Sequence, residues 1–254
     1  MKMVKKILLG LSVIAIAVSL TGCIKDDTES AIKGVGKNYS IDYTNDNTEN
    51  YRAYKASGQK HAGGIVKITF DKDGDPADSK MGVIFGLEET KTADKKTIRN
   101  FNIIGVSAAN NYYVSSFKNI ENIQDKNFGA TENAATGPSE KVWKSLGTSV
   151  TLPANEGNKF AYIWYKANIN GSYDWAILDL TEEQLAAYDT TTGAKPAGAT
   201  VLASGTITEA FTAVTAEKDL PQHQISVYAM IQPGKTLSGK WNIVGTYKEA
   251  EDAE

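Results

Sequence analysis

Period-two alternation of apolar and polar positions dominates the chain from Tyr39 onward, which is the pattern of half-buried strands. Tyr39-Ser40-Ile41-Asp42-Tyr43 alternates, Tyr51 to Lys55 alternates more weakly, and Ile65-Val66-Lys67-Ile68-Thr69-Phe70 ends at the turn-forming run Asp71-Lys72-Asp73-Gly74-Asp75. Met81 to Leu87 is more continuously apolar, as suits a strand buried on both faces. Phe101–Val106 and Tyr112–Phe117 follow, and 124–140 is a run of Asn, Gly, Ala and Thr that predicts a surface loop. Further strands are expected at 149–152, 160–167, 173–180, 201–203, 205–211, 224–231 and 241–247. One helix is expected over 181–188. There Thr181-Glu182-Glu183-Gln184 has capping-box spacing and leads into Leu185-Ala186-Ala187-Tyr188. Many short strands separated by turn signals predict an all-β protein, an antiparallel β-sandwich with one short helix. No Pro- or Ser-rich linker divides it, so a single domain is expected over 38–248, after a polar tether at 23–37 and before a charged tail at 249–254.

The first residues follow a different rule. Lys2, Lys5 and Lys6 precede an apolar run from Ile7 to Leu20, shorter than the about 20 residues of a spanning helix, as in a secretory signal. The run ends Leu20-Thr21-Gly22-Cys23, and Cys23 is the only cysteine in the chain. This ending resembles the lipobox of bacterial lipoproteins. The resemblance implies removal of 1–22, a diacylglycerol thioether on Cys23, and acylation of the new amine. More than one chain is what stable anchoring needs. In that class an Asp after the cysteine marks inner-membrane retention; here Ile24 stands there, which implies the outer membrane or cell surface.

Charge and composition remove other classes. With 27 basic against 30 acidic residues, the chain lacks the basic excess of a nucleic-acid binder. Two histidines, His61 and His223, are too few for a histidine-built metal site, and both fall in polar stretches that read as solvated loops. Gly234-Lys235-Thr236 resembles the end of a phosphate loop, but the preceding glycine is replaced by Ala229. Asp71, Asp73 and Asp75 are spaced like the start of a calcium loop, yet Pro76 and Gly82 occupy its sixth and twelfth places, and Asp73-Gly74 suits a hairpin turn. There is no Gly-x-Ser-x-Gly elbow and no strand carrying paired glutamates; Glu88 and Glu89 are adjacent and point to opposite faces. No enzyme activity, metal or cofactor is therefore expected.

The aromatic residues carry the candidate site. With Asn170-Gly171 taken as a two-residue turn, one face of the hairpin holds Phe160, Tyr162, Trp164 and Lys166 beside Tyr173, Trp175, Ile177 and Asp179. Tyr162, Trp164, Lys166, Tyr173 and Trp175 are the candidate ligand-binding residues, a platform on which a sugar ring would stack. Burial in the core is the other reading of the same rings. The strands Gly63–Phe70, Met81–Leu87 and Asn111-Tyr112-Tyr113-Val114, with Trp241–Gly245 as a closing strand, resemble those of concanavalin- and laminin-G-like jelly rolls. Together with the lipobox, the whole resembles spirochaete surface lipoproteins. The fold, the exposed compartment and the aromatic face together lead us to expect a membrane-anchored extracytoplasmic binding module for a glycan or a surface protein. The alternatives are a structural, antigenic surface lipoprotein without a small ligand and, behind it, an extracytoplasmic hydrolase. If Cys23 carries the anchor, Cys23→Ala will abolish incorporation of labelled fatty acid and leave a longer, unprocessed chain; label retained on that variant would exclude the lipoprotein reading.

Overall fold

A computed structural model describes residues 31–74, 79–121, 144–147 and 149–249. The signal segment, Cys23, Asp75 and the loop at 124–140 lie outside the described residues. Thirteen strands run in chain order: β1 (Lys33–Val35), β2 (Asn38–Thr44), β3 (Tyr51–Phe70), β4 (Lys80–Lys91), β5 (Thr97–Ser107), β6 (Asn111–Ile120), β7 (Lys144–Ser145), β8 (Ala154–Asn155), β9 (Asn158–Asn168), β10 (Ser172–Asp179), β11 (Thr200–Ile207), β12 (His223–Ile231) and β13 (Thr236–Glu249). One helix, α1 (Glu182–Ala186), lies between β10 and β11. No helix among the described residues is long and apolar enough to cross a membrane.

The long strand β3 decides the architecture. Its first half, Tyr51 to His61, pairs antiparallel with β12. Its second half pairs with β13 on one edge and, from Gly63 to Phe70, with β9 on the other. His61 pairs with both His223 and Glu249, so the partners are exchanged at that point. Just before it the register with β12 shifts, and Gly58 takes φ of 84° in the extra residues of this bulge. Bulges bend a strand and increase its twist. β3 thereby passes from one layer to the other. The first layer runs β3–β12–β4–β5–β6–β7; the second runs β1–β2–β13–β3–β9–β10–β11, with β8 against the start of β9. The chain is an antiparallel β-sandwich.

The alternation becomes the core. Val83, Phe85, Ile104, Val227 and Ala229 of the first layer meet Ile68, Ile163, Tyr165, Ile177 and Trp241 of the second, all buried. Phe85 stacks on Tyr165 at 4.3 Å between ring centroids, and the Trp241 indole N–H donates across the layers to the Gly82 carbonyl at 3.1 Å. That bond satisfies a buried donor, which would otherwise cost about 1–3 kcal/mol. The helix is capped as its sequence predicts: Gln184 N–H donates to Thr181 Oγ1, and Thr181 N–H to Gln184 Oε1.

Several expectations need correction. Tyr51–Lys55 and Ile65–Phe70 are not separate strands; β3 runs through the polar Gln59-Lys60-His61 between them. Both histidines therefore sit in strands, directly opposite each other, rather than in solvated loops. The tether reaches less far than 37, because Ile32 is fully buried and β1 pairs with β2. No strand forms at 149–152, and β11 stops at Ile207. Gly234-Lys235-Thr236 is the turn from β12 to β13, held by Lys235 N–H donating to the Gln232 carbonyl.

His223 Nδ1–H donates to the Leu87 carbonyl at 3.1 Å, and Nε2 lies 3.9 Å from a Glu88 carboxylate oxygen. Burial lowers its pKa below the ordinary 6.5 although Glu88 and Leu87 act the other way. The unfolded chain thus binds this proton more readily than the folded one. Stability should fall as pH drops through and below 6.5. His223→Gln should flatten that part of a denaturant-midpoint-versus-pH curve.

Candidate functional site

The hairpin that carries the predicted platform has a three-residue turn, Ile169-Asn170-Gly171, not the two-residue one expected. Gly171 N–H donates to the Asn168 carbonyl, and Gly171 takes φ of 84°. This is a type I turn closed by a left-handed residue, the usual three-residue hairpin loop. Asn170 Oδ1 accepts from the Ser172 hydroxyl at 2.7 Å and from its N–H at 3.2 Å. The segment after β11 packs on the turn as Ala210 N–H donates to the Gly171 carbonyl and Val214 N–H to the Ile169 carbonyl. A Cβ on Gly171 would sit 2.5 Å from the Phe211 carbonyl oxygen, so both the backbone angle and the close approach demand glycine there.

The extra turn residue shifts the register by one. Trp175 pairs with Tyr165, Ala176 with Trp164, and Asp174 with Lys166. A one-residue slip turns every side chain of a strand to the other face. The five candidates therefore do not share a face. Tyr162, Trp164 and Lys166 lie on the outer face of the second layer, while Tyr173 and Trp175 point between the layers. The four rings are nearly inaccessible: Tyr162 1%, Trp164 7%, Tyr173 2%, Trp175 7%.

The outer group is covered by the chain itself. Leu185 of α1, Tyr188 and Ala199 pack with Ile65, Tyr162, Trp164, Ala176 and Leu178. The following turn is ordered by Asp189, whose carboxylate accepts from Thr191 N–H and from the Thr191 and Thr192 hydroxyls. These bonds, the Thr191 hydroxyl first among them, hold its pKa down at about 2. The turn brings the Gly193 carbonyl within 3.0 Å of the Trp164 indole N–H, which donates to it. Lys166 lies over the Tyr247 ring at 5.1 Å. The outer face is a covered secondary core.

The inner group leads elsewhere. A slot of about 630 Å³ opens between the layers along β5 and β6 on one side and β10 and β11 on the other. That is within the roughly 300–1,000 Å³ of small-molecule sites. Trp175 forms part of its floor. The ring centroids of Trp175 and Tyr112 are 6.0 Å apart, and Gly205, paired with Trp175 on β11, leaves room where a Cβ would come within 3.1 Å of the indole nitrogen. Among the described residues Trp175 Nε1–H has no hydrogen-bond partner, in contrast to Trp164 and Trp241, and it is not sealed from solvent. Opposite stands Asn102, inward-facing on β5 and paired with Ser116 of β6. Ser116 Oγ donates to Asn102 Oδ1 at 2.6 Å, which fixes the amide. Lys118, Lys144, Thr206 and Glu209 also line the slot.

This arrangement offers a ring edge with a free donor, a fixed amide, hydroxyls and both signs of charge. Tyr173, beside the slot floor, has its pKa raised by burial first and then by Glu88, so its phenol stays neutral. Glu209 is the one carboxylate among the described residues lining the slot. No group of three or more His, Cys, Asp or Glu side chains able to hold a metal occurs among the described residues. Asp71 instead accepts a hydrogen bond from the Ser238 hydroxyl at 3.0 Å. Of the slot residues only Trp175 stood among the sequence candidates. Asn102 was readable as a lone amide inside the apolar run Phe101 to Val106; the contribution of β11 left no signal.

No family model matches the chain, and no curated protein matches it in sequence. Among solved structures it is similar to a carbohydrate binding module from Bacillus subtilis, with 10% identity and a TM-score of 0.37 over 81% of this chain and 95% of that one. It is also similar to a fructofuranosidase from Schwanniomyces occidentalis complexed with fructosylnystose, with 9% identity and a TM-score of 0.31 over 85% of this chain and 34% of that one. Likeness at this level carries no inference about ligand or activity.

Trp164→Ala removes a buried ring and its hydrogen bond and should cost about 3–5 kcal/mol of stability in a denaturant titration. A loss under about 1 kcal/mol would mean the outer face is open rather than covered.

Proposed function

We propose that this chain is a lipid-anchored extracytoplasmic binding module whose ligand is a glycan, held in the slot between the layers. The observation that carries the reading is Trp175, whose indole N–H has no hydrogen-bond partner among the described residues, lining one cavity with the fixed Asn102 amide. Sugars present apolar ring faces and a surrounding set of hydroxyls. A site for them needs aromatic carbon next to oriented donors and acceptors. An indole N–H that no described group accepts, on a ring that is otherwise buried, can meet a ligand hydroxyl. Among the described residues Glu209 is the one carboxylate lining the slot, short of the usual pair for glycoside hydrolysis, and this favours the binding reading. The lipobox ending at Cys23 supports membrane anchoring and display at the outer membrane or cell surface.

Trp175→Phe keeps the ring and deletes the donor; Asn102→Ala deletes the amide. Each should weaken binding about tenfold, the equivalent of one hydrogen bond of about 1.4 kcal/mol. The check is isothermal titration with a glycan retained on an array, with thermal midpoints measured alongside. Unchanged affinity in both variants, or an array with no glycan retained, would overturn the proposal.

A further inference from the structure

We propose that the sandwich rests on an anionic lipid surface through β1 and the adjoining outer face of β2 and β13, with the slot turned away from the bilayer. This orientation rests on the lipid-anchored reading above. Ile32 is fully buried and β1 begins at Lys33, so only the segment between Cys23 and Ile32 separates the anchor from the folded domain. Even drawn straight, that segment spans at most about 32 Å. β1 and β11 are opposite edges of the second layer, six strand spacings apart, which is about 29 Å. The β11 edge, one wall of the slot, therefore reaches the bilayer only if the tether is pulled to nearly its full length alongside the sheet. The β1 edge meets no such limit.

The side chains at the β1 edge suit a lipid surface. Tyr39, Ile41 and Trp241 point into the core, so their neighbours along β2 and β13 face outward. The register sets Lys33 beside Ser40 and Ser40 beside Lys240. In the next row of that face Val35 stands beside Asn38, and Asn38 beside Asn242. Val35 is 82% exposed, the most of any large apolar side chain among the described residues. Ile243 N–H donates to the Lys37 carbonyl at 2.7 Å, which holds the turn from β1 to β2 against β13 where the bulge leaves Val244 exposed as well.

Charge chooses the occupant. Lys33, Lys37 and Lys240 are exposed around the two valines, and Asp42 is the one carboxylate of β1, β2 and residues 236–244. The whole chain carries a formal charge of −3, so this local excess of lysine marks the face off from the rest. An apolar side chain that protrudes among lysines matches the boundary of a bilayer: the valine enters between headgroups and acyl chains, and the ammonium groups meet lipid phosphates. Seated this way, the anchored domain presents its slot to ligands on the side away from its own membrane.

Fluorescence of the intact chain on vesicles of phosphatidylglycerol and phosphatidylethanolamine tests this. Cys23 is the only native cysteine, and its sulfur is occupied in the lipidated chain, so a cysteine introduced elsewhere takes an environment-sensitive dye alone. Dye on Val35→Cys or Val244→Cys should emit to the blue of dye on Val201→Cys, an exposed site on β11, and lipids brominated near the headgroup should quench it several-fold more. Adding Lys33→Glu, Lys37→Glu and Lys240→Glu to Val35→Cys should return its emission toward that of Val201→Cys while the chain stays on the vesicles. If that variant fails to fold, exchanging phosphatidylglycerol for phosphatidylcholine should have the same effect. A chain that floats with the vesicles but shows Val35 as water-exposed as Val201 would overturn this orientation and leave the anchor standing. So would quenching at Val201 equal to that at Val35, or emission at Val35 indifferent to both charge reversal and lipid charge. A chain that does not float with the vesicles overturns the anchor and the orientation together.

Discussion

The hydrogen bonding of β3 is the constraint on which the rest depends. A single strand that changes partners at His61 joins the two layers along one line, so they meet there as the pages of a book meet at the spine. The core beside that line is sealed: Val66, Ile68 and Ile225 are fully buried. With distance from β3 the layers need not stay in contact. The slot lies between β5, β6 and β7 on one side and β10 and β11 on the other, the strands furthest from β3 on that flank. Polar residues such as Asn102 and Ser116 face inward there, where they pair with each other.

The hairpin of β9 and β10 shows how little decides a site. One additional residue in its turn moves Trp175 from the outer face to the slot floor and leaves Trp164 under α1. The turn is fixed by Gly171 and the two bonds to Asn170 Oδ1, and the segment after β11 locks it from outside. Side chains in a strand alternate with a strict period of two, so register is a binary choice for each residue and depends on local turn chemistry.

What was legible in the sequence follows from this. Strand existence was readable because burial on one face writes itself as alternation, and α1 because Thr181 and Gln184 satisfy each other locally. The continuity of β3 was not readable. Its middle, Gly58-Gln59-Lys60-His61, is polar because it spans the bulge where partners are exchanged, and that environment is created by β12 and β13, more than a hundred residues away. The Asn-Gly dipeptide admits both a two- and a three-residue hairpin loop, and the backbone bonds from Ala210 and Val214, far along the chain, help hold the longer one. Of the four rings read as a ligand platform, Tyr162 and Trp164 serve a second core, and the amide that shares the slot with Trp175 is contributed by a strand some seventy residues earlier.

Trp175 serves two ends at once. On one side it belongs to the core with Tyr165 and Ile177; on the other it meets the slot, with its indole N–H unspent. Burying most of a large ring contributes to stability in proportion to the apolar area removed from water. The small remainder, together with the donor, is left at the boundary. A ring held this way arrives at a ligand already ordered, so the rotamer cost of about 0.5–1.5 kcal/mol for immobilising a flexible side chain is met by folding rather than by binding. Gly205 completes the device: it sits against the indole without covering it, and any side chain there would have to displace the ring. The same residue lies in β11, so the strand that shapes the slot is also the open edge of the second layer.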